Sequence, residues 1–160
     1  MLAARERRFY LQTQLLHQYK KSLISFTLNI PGPVKVLTGV PEAFASGCQR
    51  IETLLKDRLV LIQHMETIKE KTGYEAFYSV DANPDFIKEL MVSLEDQDRL
   101  GRLFDIDVLR PDGSKVSRED MGSAPRTCLL CGQPAHVCSR SRRHSVEELT
   151  TEIGKILSGL

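Results

Sequence analysis

Apolar positions along the chain change period several times, and each change predicts an element. Residues 5–20 read as a helix with Phe9, Leu15, Leu16 and Tyr19 near one face. "SLISFTLNI" (22–30) alternates instead: Ile24, Phe26, Leu28 and Ile30 share one side of a strand, which "PGP" (31–33) ends. Pro41 suits a first helical turn, and Phe44, Cys48, Ile51 and Leu55 follow at helical spacing. "RLVLIQHMETI" (58–68) fits either a longer helix or a strand. Its Leu-Val-Leu-Ile cluster and the following "KTG" turn favour a strand. "YEAFYSV" (74–80) is a further strand. Asn83 caps a predicted helix from Pro84, with Phe86, Leu90 and Leu94 on its buried face. "RLFDIDVL" (102–109) is the next strand, and "RPDGS" is a turn.

The predicted order is strand, helix, strand, strand, helix, strand. It makes the chain an α+β protein with a ferredoxin-like split βαβ core (βαββαβ). An N-terminal helix precedes the core, and a Cys- and Arg-rich segment plus a final helix follow it. In this arrangement helices cover one face of an antiparallel sheet and leave the other face free for a ligand. Ser145 and Glu148 form a capping box for the last helix, whose Val146, Leu149, Ile153 and Ile156 make an apolar stripe.

One strand carries an anomaly. Phe104, Ile106 and Val108 point to one side of "RLFDIDVL", so Asp105 and Asp107 share the other. Asp is depleted in strands, and like charges on one face repel. Two solvated acids on an edge strand would satisfy the pattern. So would a bound Mg²⁺, which prefers oxygen ligands and often takes one or two carboxylates together with phosphate oxygens. On the second reading Gly101 lets a substrate approach the backbone and Arg102 grips an anion.

Size, charge and cysteines then narrow the picture. The 160 residues suffice for one domain, 1–160, with 120–160 as its basic, Cys-containing end. A net charge of +1 gives no polycation for nonspecific nucleic-acid binding. No apolar run approaches the roughly 18–20 residues of a membrane span, and "MLAARERRFY" lacks the apolar core of a secretory signal. A cytoplasmic protein without nucleic-acid or membrane partners is therefore expected.

Cys128, Cys131 and Cys138 cluster, which in a reducing compartment favours metal or thiol chemistry over a disulfide framework. Cys128, Cys131, Cys138 and His144 form a tetrahedral zinc set, with His136 competing as the fourth ligand. Such a zinc would be structural. The bland alternative is three reduced cysteines near a rigid turn. No acid lies between Asp120 and Glu147, yet Arg126, Arg140, Arg142 and Arg143 do. Arg126 and Arg140 are candidates to bind substrate phosphate, since guanidinium matches it in bidentate fashion.

"LGRLFDIDVLRPDG", "SRED", "PRTCLLCGQPAHVCSRSRRH" and "SLISFTLNIPGPVK" together resemble one family over nearly the whole chain. It is the apo-citrate lyase phosphoribosyl-dephospho-CoA transferase family, also called holo-citrate lyase acyl-carrier-protein synthase. The resemblance implies a nucleotidyltransferase-type reaction. The donor is 2′-(5″-triphosphoribosyl)-3′-dephospho-CoA, the acceptor is a serine of the citrate lyase acyl carrier protein (gamma) subunit, and pyrophosphate leaves. It implies that Gly101, Arg102, Asp105 and Asp107 bind metal and triphosphate. Family members often carry His-Pro before Leu-Gly-Arg. Here Asp98 and Arg99 stand there, so a catalytic histidine at that place is missing. A fainter resemblance in element order points to the pterin pyrophosphokinases, which use an acidic pair for two Mg²⁺ ions. Two rivals remain. One is a zinc-braced module that docks a carrier protein without catalysis, and the other is the equivalent transferase for the malonate decarboxylase carrier.

Overall fold

The computed structural model describes residues 2–160. Its elements are α1 (Leu2–Tyr19), β1 (Ser22–Leu28), α2 (Val40–Asp57), β2 (Ile62–Glu70), β3 (Gly73–Val80), α3 (Pro84–Asp96), β4 (Phe104–Leu109), α4 (Ala135–Ser141) and α5 (Val146–Ser158). The strands form one antiparallel sheet in the order β2–β3–β1–β4. From β1 to β4 this is the expected βαββαβ arrangement.

One face of the sheet carries the main core. Ile24 and Phe26 of β1 and Phe104, Ile106 and Val108 of β4 pack against α2 and α3. Each such fully buried side chain stabilises the fold by about 1.5–3 kcal/mol. Phe26 stacks on Phe44 at 5.3 Å and meets Phe104 edge-on at 5.2 Å. Gly47 makes this approach of α2 to the sheet feasible, because a Cβ there would stand 2.3 Å from the Phe26 ring. The position of β4 is thereby tied to α2 through two aromatic contacts.

Both predicted caps form. Asn83 Oδ1 accepts from the backbone N–H of Asp85 at 2.8 Å, and Ser145 and Glu148 form the capping box of α5. Several boundaries and faces differ from expectation. Arg58 and Leu59 finish α2 with hydrogen bonds back to Leu54 and Lys56, so β2 starts only at Ile62. Gly101–Leu103 form a 3-10 turn, so β4 starts at Phe104. Phe86 is 36% exposed. The buried stripe of α3 runs through Ile87, Leu90, Met91 and Leu94, one residue away from it. Phe9 also points outward, because the buried positions of α1 are Leu15 and Leu16 with Leu11 and Tyr19 beside them. Val146 is exposed, and α5 docks through Ile153, Ile156 and Leu157.

The second face of the sheet is not free, as expected from the split βαβ pattern, but half covered. Leu15 and Leu16 of α1 pack on Leu23, Phe77 and Leu109, and Gln12 donates to Ser25 Oγ at 3.1 Å. The polar remainder of that face lies under the first turns of α1. It holds the row Glu75–Thr27–Asp105, because Thr27 pairs with Glu75 on one side and Asp105 on the other.

Candidate active site and cysteine cluster

Asp105 and Asp107 both lie half-buried on this second face, two residues apart along β4. Lys115 partly compensates the pair, with its Nζ 3.2 Å from Asp107 Oδ2. Asp105 joins no ion pair among the described residues. Burial, and then the neighbouring Asp107, push its carboxyl above the usual range, while Arg126 pulls the other way.

β4 is an outer strand, and the residue between the two acids is held at that edge by buried charges. Lys88 Nζ donates to the Ile106 carbonyl at 2.9 Å, and Glu95 Oε2 accepts from the Ile106 N–H at 3.0 Å. Arg118 pairs with Glu95 at 2.9 Å and Arg126 approaches it at 3.5 Å. Burial lowers the Lys88 pKa, opposed mainly by the nearby Glu95 carboxylate. Apolar periodicity gives no mark of either residue, though both are buried on α3. The available signal was two opposite charges one heptad apart on the inner stripe of α3.

Gly101 is tightly packed. A Cβ on it would sit 2.2 Å from the Leu94 carbonyl oxygen, so the turn is pressed against the end of α3. Asp98 closes this turn. Its Oδ1 accepts from Gly101 N–H at 2.8 Å, and Arg50 grips both carboxylate oxygens at 3.0 Å. Arg102 donates to the carbonyls of Thr127 and Cys128, and Arg126 donates to the carbonyl of Arg102 at 2.7 Å. These two arginines thus staple the Cys-containing segment to the turn before β4. Arg140 is exposed on α4 and lies outside the lining of both cavities described next. Arg142 lines the larger one instead, because a left-handed backbone at that residue (φ 50) ends α4.

Two cavities meet at Asn29. The larger, about 740 Å³, is walled by Arg102, Arg126, His136, Arg142 and the start of α5. The smaller, about 190 Å³, lies between α1 and the sheet and includes Thr27, Glu75 and Asp105.

Beside the larger cavity, Cys128, Cys131, Cys138 and His144 bring one donor atom each within 4.8 Å of all the others. Cys131 Sγ lies 3.4 Å from Cys138 Sγ and 3.5 Å from His144 Nε2. Zinc–sulfur bonds of about 2.3 Å in a tetrahedron require sulfurs about 3.8 Å apart, close to this spacing. The cluster can hold a metal ion, and His144 rather than His136 completes it. Hydrogen bonding to His144 lowers the Cys131 thiol pKa, while burial raises that of Cys138. A short bridge between Thr127 and Pro134 and the unanticipated helix α4 bring the four residues together.

With this geometry in place, comparison with known proteins is decisive. The family model for apo-citrate lyase phosphoribosyl-dephospho-CoA transferase matches residues 1–159. The chain belongs to that family. A probable apo-citrate lyase phosphoribosyl-dephospho-CoA transferase of Streptococcus pyogenes serotype M18 is 41% identical, over 98% of this chain and 83% of its own length. The protein of the same description from Vibrio cholerae serotype O1 is 36% identical, over 96% of this chain and 86% of its own length. Protein CitXG of Haemophilus influenzae is also 36% identical over 96% of the chain, but only a third (33%) of that longer protein is matched. Family membership favours a transferase over a docking module without chemistry. Among the described residues, no helix is long and apolar enough to cross a membrane.

Proposed function

We propose that this chain transfers the phosphoribosyl-dephospho-CoA group of 2′-(5″-triphosphoribosyl)-3′-dephospho-CoA to a serine of the acyl carrier (gamma) subunit of citrate lyase. The reaction is a nucleotidyl transfer. The serine oxygen bonds to the phosphorus nearest the ribose, the bond from that phosphorus to the next bridging oxygen breaks, and pyrophosphate leaves with the electron pair. The serine proton is released.

The carrying observation is the half-buried pair Asp105 and Asp107 on a strand clamped at both backbone groups of Ile106, with Asp105 lining the smaller of two adjoining cavities. An Mg²⁺ ion held by this pair would neutralise the triphosphate and the leaving group. The pair fits a cation, since burial and the neighbouring Asp107 disfavour the ionised form of Asp105, which joins no ion pair among the described residues. The larger cavity falls in the range of about 300–1,000 Å³ typical of small-molecule sites and suits the dephospho-CoA portion. Arg142 and the free edges of Arg102 and Arg126 would meet its phosphates. A zinc ion on Cys128, Cys131, Cys138 and His144 would be structural, with all four positions filled by protein. It would fix the wall that carries these arginines.

The test combines purified protein, apo-carrier and the triphosphoribosyl donor. The carrier is expected to gain the mass of the prosthetic group with an equal amount of pyrophosphate released. A carrier of unchanged mass in the presence of Mg²⁺ would overturn the reading.

A further inference from the structure

The cavity under the first turns of α1 has a chemistry that the acidic pair alone does not explain. Glu75 is only 4% exposed. One of its oxygens pairs with Arg8, but Oε2 is buried and accepts no hydrogen bond. An ionised carboxylate offers about four acceptor sites, so a buried oxygen with no donor is the anomaly that needs a partner. Glu75 lines the cavity, and so does Asp105. Both flank Thr27 across adjacent strands, which puts their Cα atoms about 10 Å apart at ordinary strand spacing. Both line the one cavity above this row, so a single hydrated ion between them is within reach of long acidic side chains. Mg²⁺ typically keeps several of its waters and takes only one or two carboxylates.

Three cations share the wall with these acids. Arg5, Arg8 and Lys35 line the same cavity. Lys35 is anchored by a 2.5 Å hydrogen bond from its Nζ to the Ile30 carbonyl. Burial first, and then the charge of Arg5, lower its pKa. At about 190 Å³ the cavity would hold about six waters at roughly 30 Å³ each. That is the scale of a diphosphate with its ion and too small for a nucleotide.

We infer that this cavity is a cation–diphosphate subsite: Glu75 joins Asp105 in holding a divalent ion, and Arg5, Arg8 and Lys35 bind the phosphate oxygens. Resting on the transferase reading above, it would take the two outer phosphates of the donor, which depart as pyrophosphate. α1 is then a wall of the active site rather than a decoration of the sheet. Glu75 enters as a residue for which sequence motifs gave no signal.

The test is calorimetric titration of the full chain with inorganic pyrophosphate, with and without Mg²⁺. Pyrophosphate is expected to bind in an Mg²⁺-dependent way. Glu75→Gln and Arg5→Ala are each expected to weaken that binding at least about tenfold, through loss of a charged contact. Arg5 is exposed, so Arg5→Ala should keep the wild-type melting temperature and separates binding from folding. Absence of pyrophosphate binding with Mg²⁺, or equal binding by wild type and both variants, overturns the subsite. If transfer to apo-carrier proceeds while the variants bind pyrophosphate normally, the subsite falls and the transferase reading stands. If pyrophosphate binds as described but no carrier is modified, the subsite stands and the transferase reading falls.

Discussion

Lys88 donates its ammonium group to the carbonyl of Ile106 at 2.9 Å. Ile106 separates the two acids, and Glu95 takes its N–H from the same side. An outer strand would otherwise leave these groups unpaired and able to recruit another chain. Here they fix the strand that presents Asp105 and Asp107. A charged hydrogen bond of this kind contributes about 1.5–3 kcal/mol. Lys88→Met should therefore lose about that much stability in urea denaturation, and transfer should fall with it. Wild-type stability in this variant would show that Lys88 does not hold the strand.

The turn before β4 makes an equally sharp prediction. A methyl group at Gly101 would meet the Leu94 carbonyl oxygen at 2.2 Å, and backbone cannot move aside cheaply. Gly101→Ala should cost about 1–3 kcal/mol, as overpacking does elsewhere. The melting temperature should drop by roughly 2–4 °C per kcal/mol for a chain of this size. If the glycine instead served close approach of substrate, stability would hold and only donor affinity would fall. A thermal melt alongside a donor titration separates the two outcomes.

Asp105 links charge to pH. Its folded pKa is raised above the ordinary 3.8, by burial first and Asp107 second. The folded state therefore binds the proton more tightly than the unfolded state. Metal-free protein should lose stability as pH rises from 3.8 through the raised value. Asp105→Asn removes that loss, so at neutral pH the metal-free variant should melt above wild type, and the two curves should converge below 3.8. Transfer should nonetheless fall by on the order of a hundredfold or more, the scale of losing a preorganised electrostatic group. Added Mg²⁺ should raise the melting temperature of wild type but not of the variant. Wild-type transfer rates in both Asp105→Asn and Asp107→Asn at saturating Mg²⁺ would remove the pair from the reaction.

Period and punctuation made much of the fold legible. Alternation in 22–30 and 104–108, Asn83 before Pro84, and Ser145 with Glu148 each report a local rule that the tertiary structure keeps. Phe9 and Phe86 misled because apolar character does not say which side of a short helix meets the core. The coverage of the second sheet face by α1 depends on packing between elements, which no local window contains. The same limit applies to the site. Asp105 and Asp107 announce themselves by breaking the strand pattern. Glu75 does not, since it becomes unusual only when Thr27 sets it beside Asp105. Arg102 and Arg126 were legible as basic residues, but their hold on carbonyls of the Cys-containing segment was not.

The cysteine cluster yields the last prediction. Four donor atoms within 4.8 Å of one another, three of them thiols, crowd lone pairs that repel when the thiols ionise. Hydrogen bonds relieve part of this, including the contact of Cys131 with His144 at 3.5 Å. A tetrahedral zinc would relieve all of it and would weld the strand-like start of the segment, α4 and the entry to α5 into one wall. Protein purified without chelator should contain about one zinc per chain by elemental analysis. Because metal binding is linked to folding, Cys131→Ser should lose the zinc and melt at a lower temperature. His136→Ala should keep both the zinc and the melting temperature, since His136 stands outside the cluster and lines the larger cavity instead. Zinc retained in His144→Ala and lost in His136→Ala would assign the fourth ligand to the other histidine. Four freely titrating thiols with no metal in the wild-type protein would leave a cluster of reduced cysteines, held by hydrogen bonds alone.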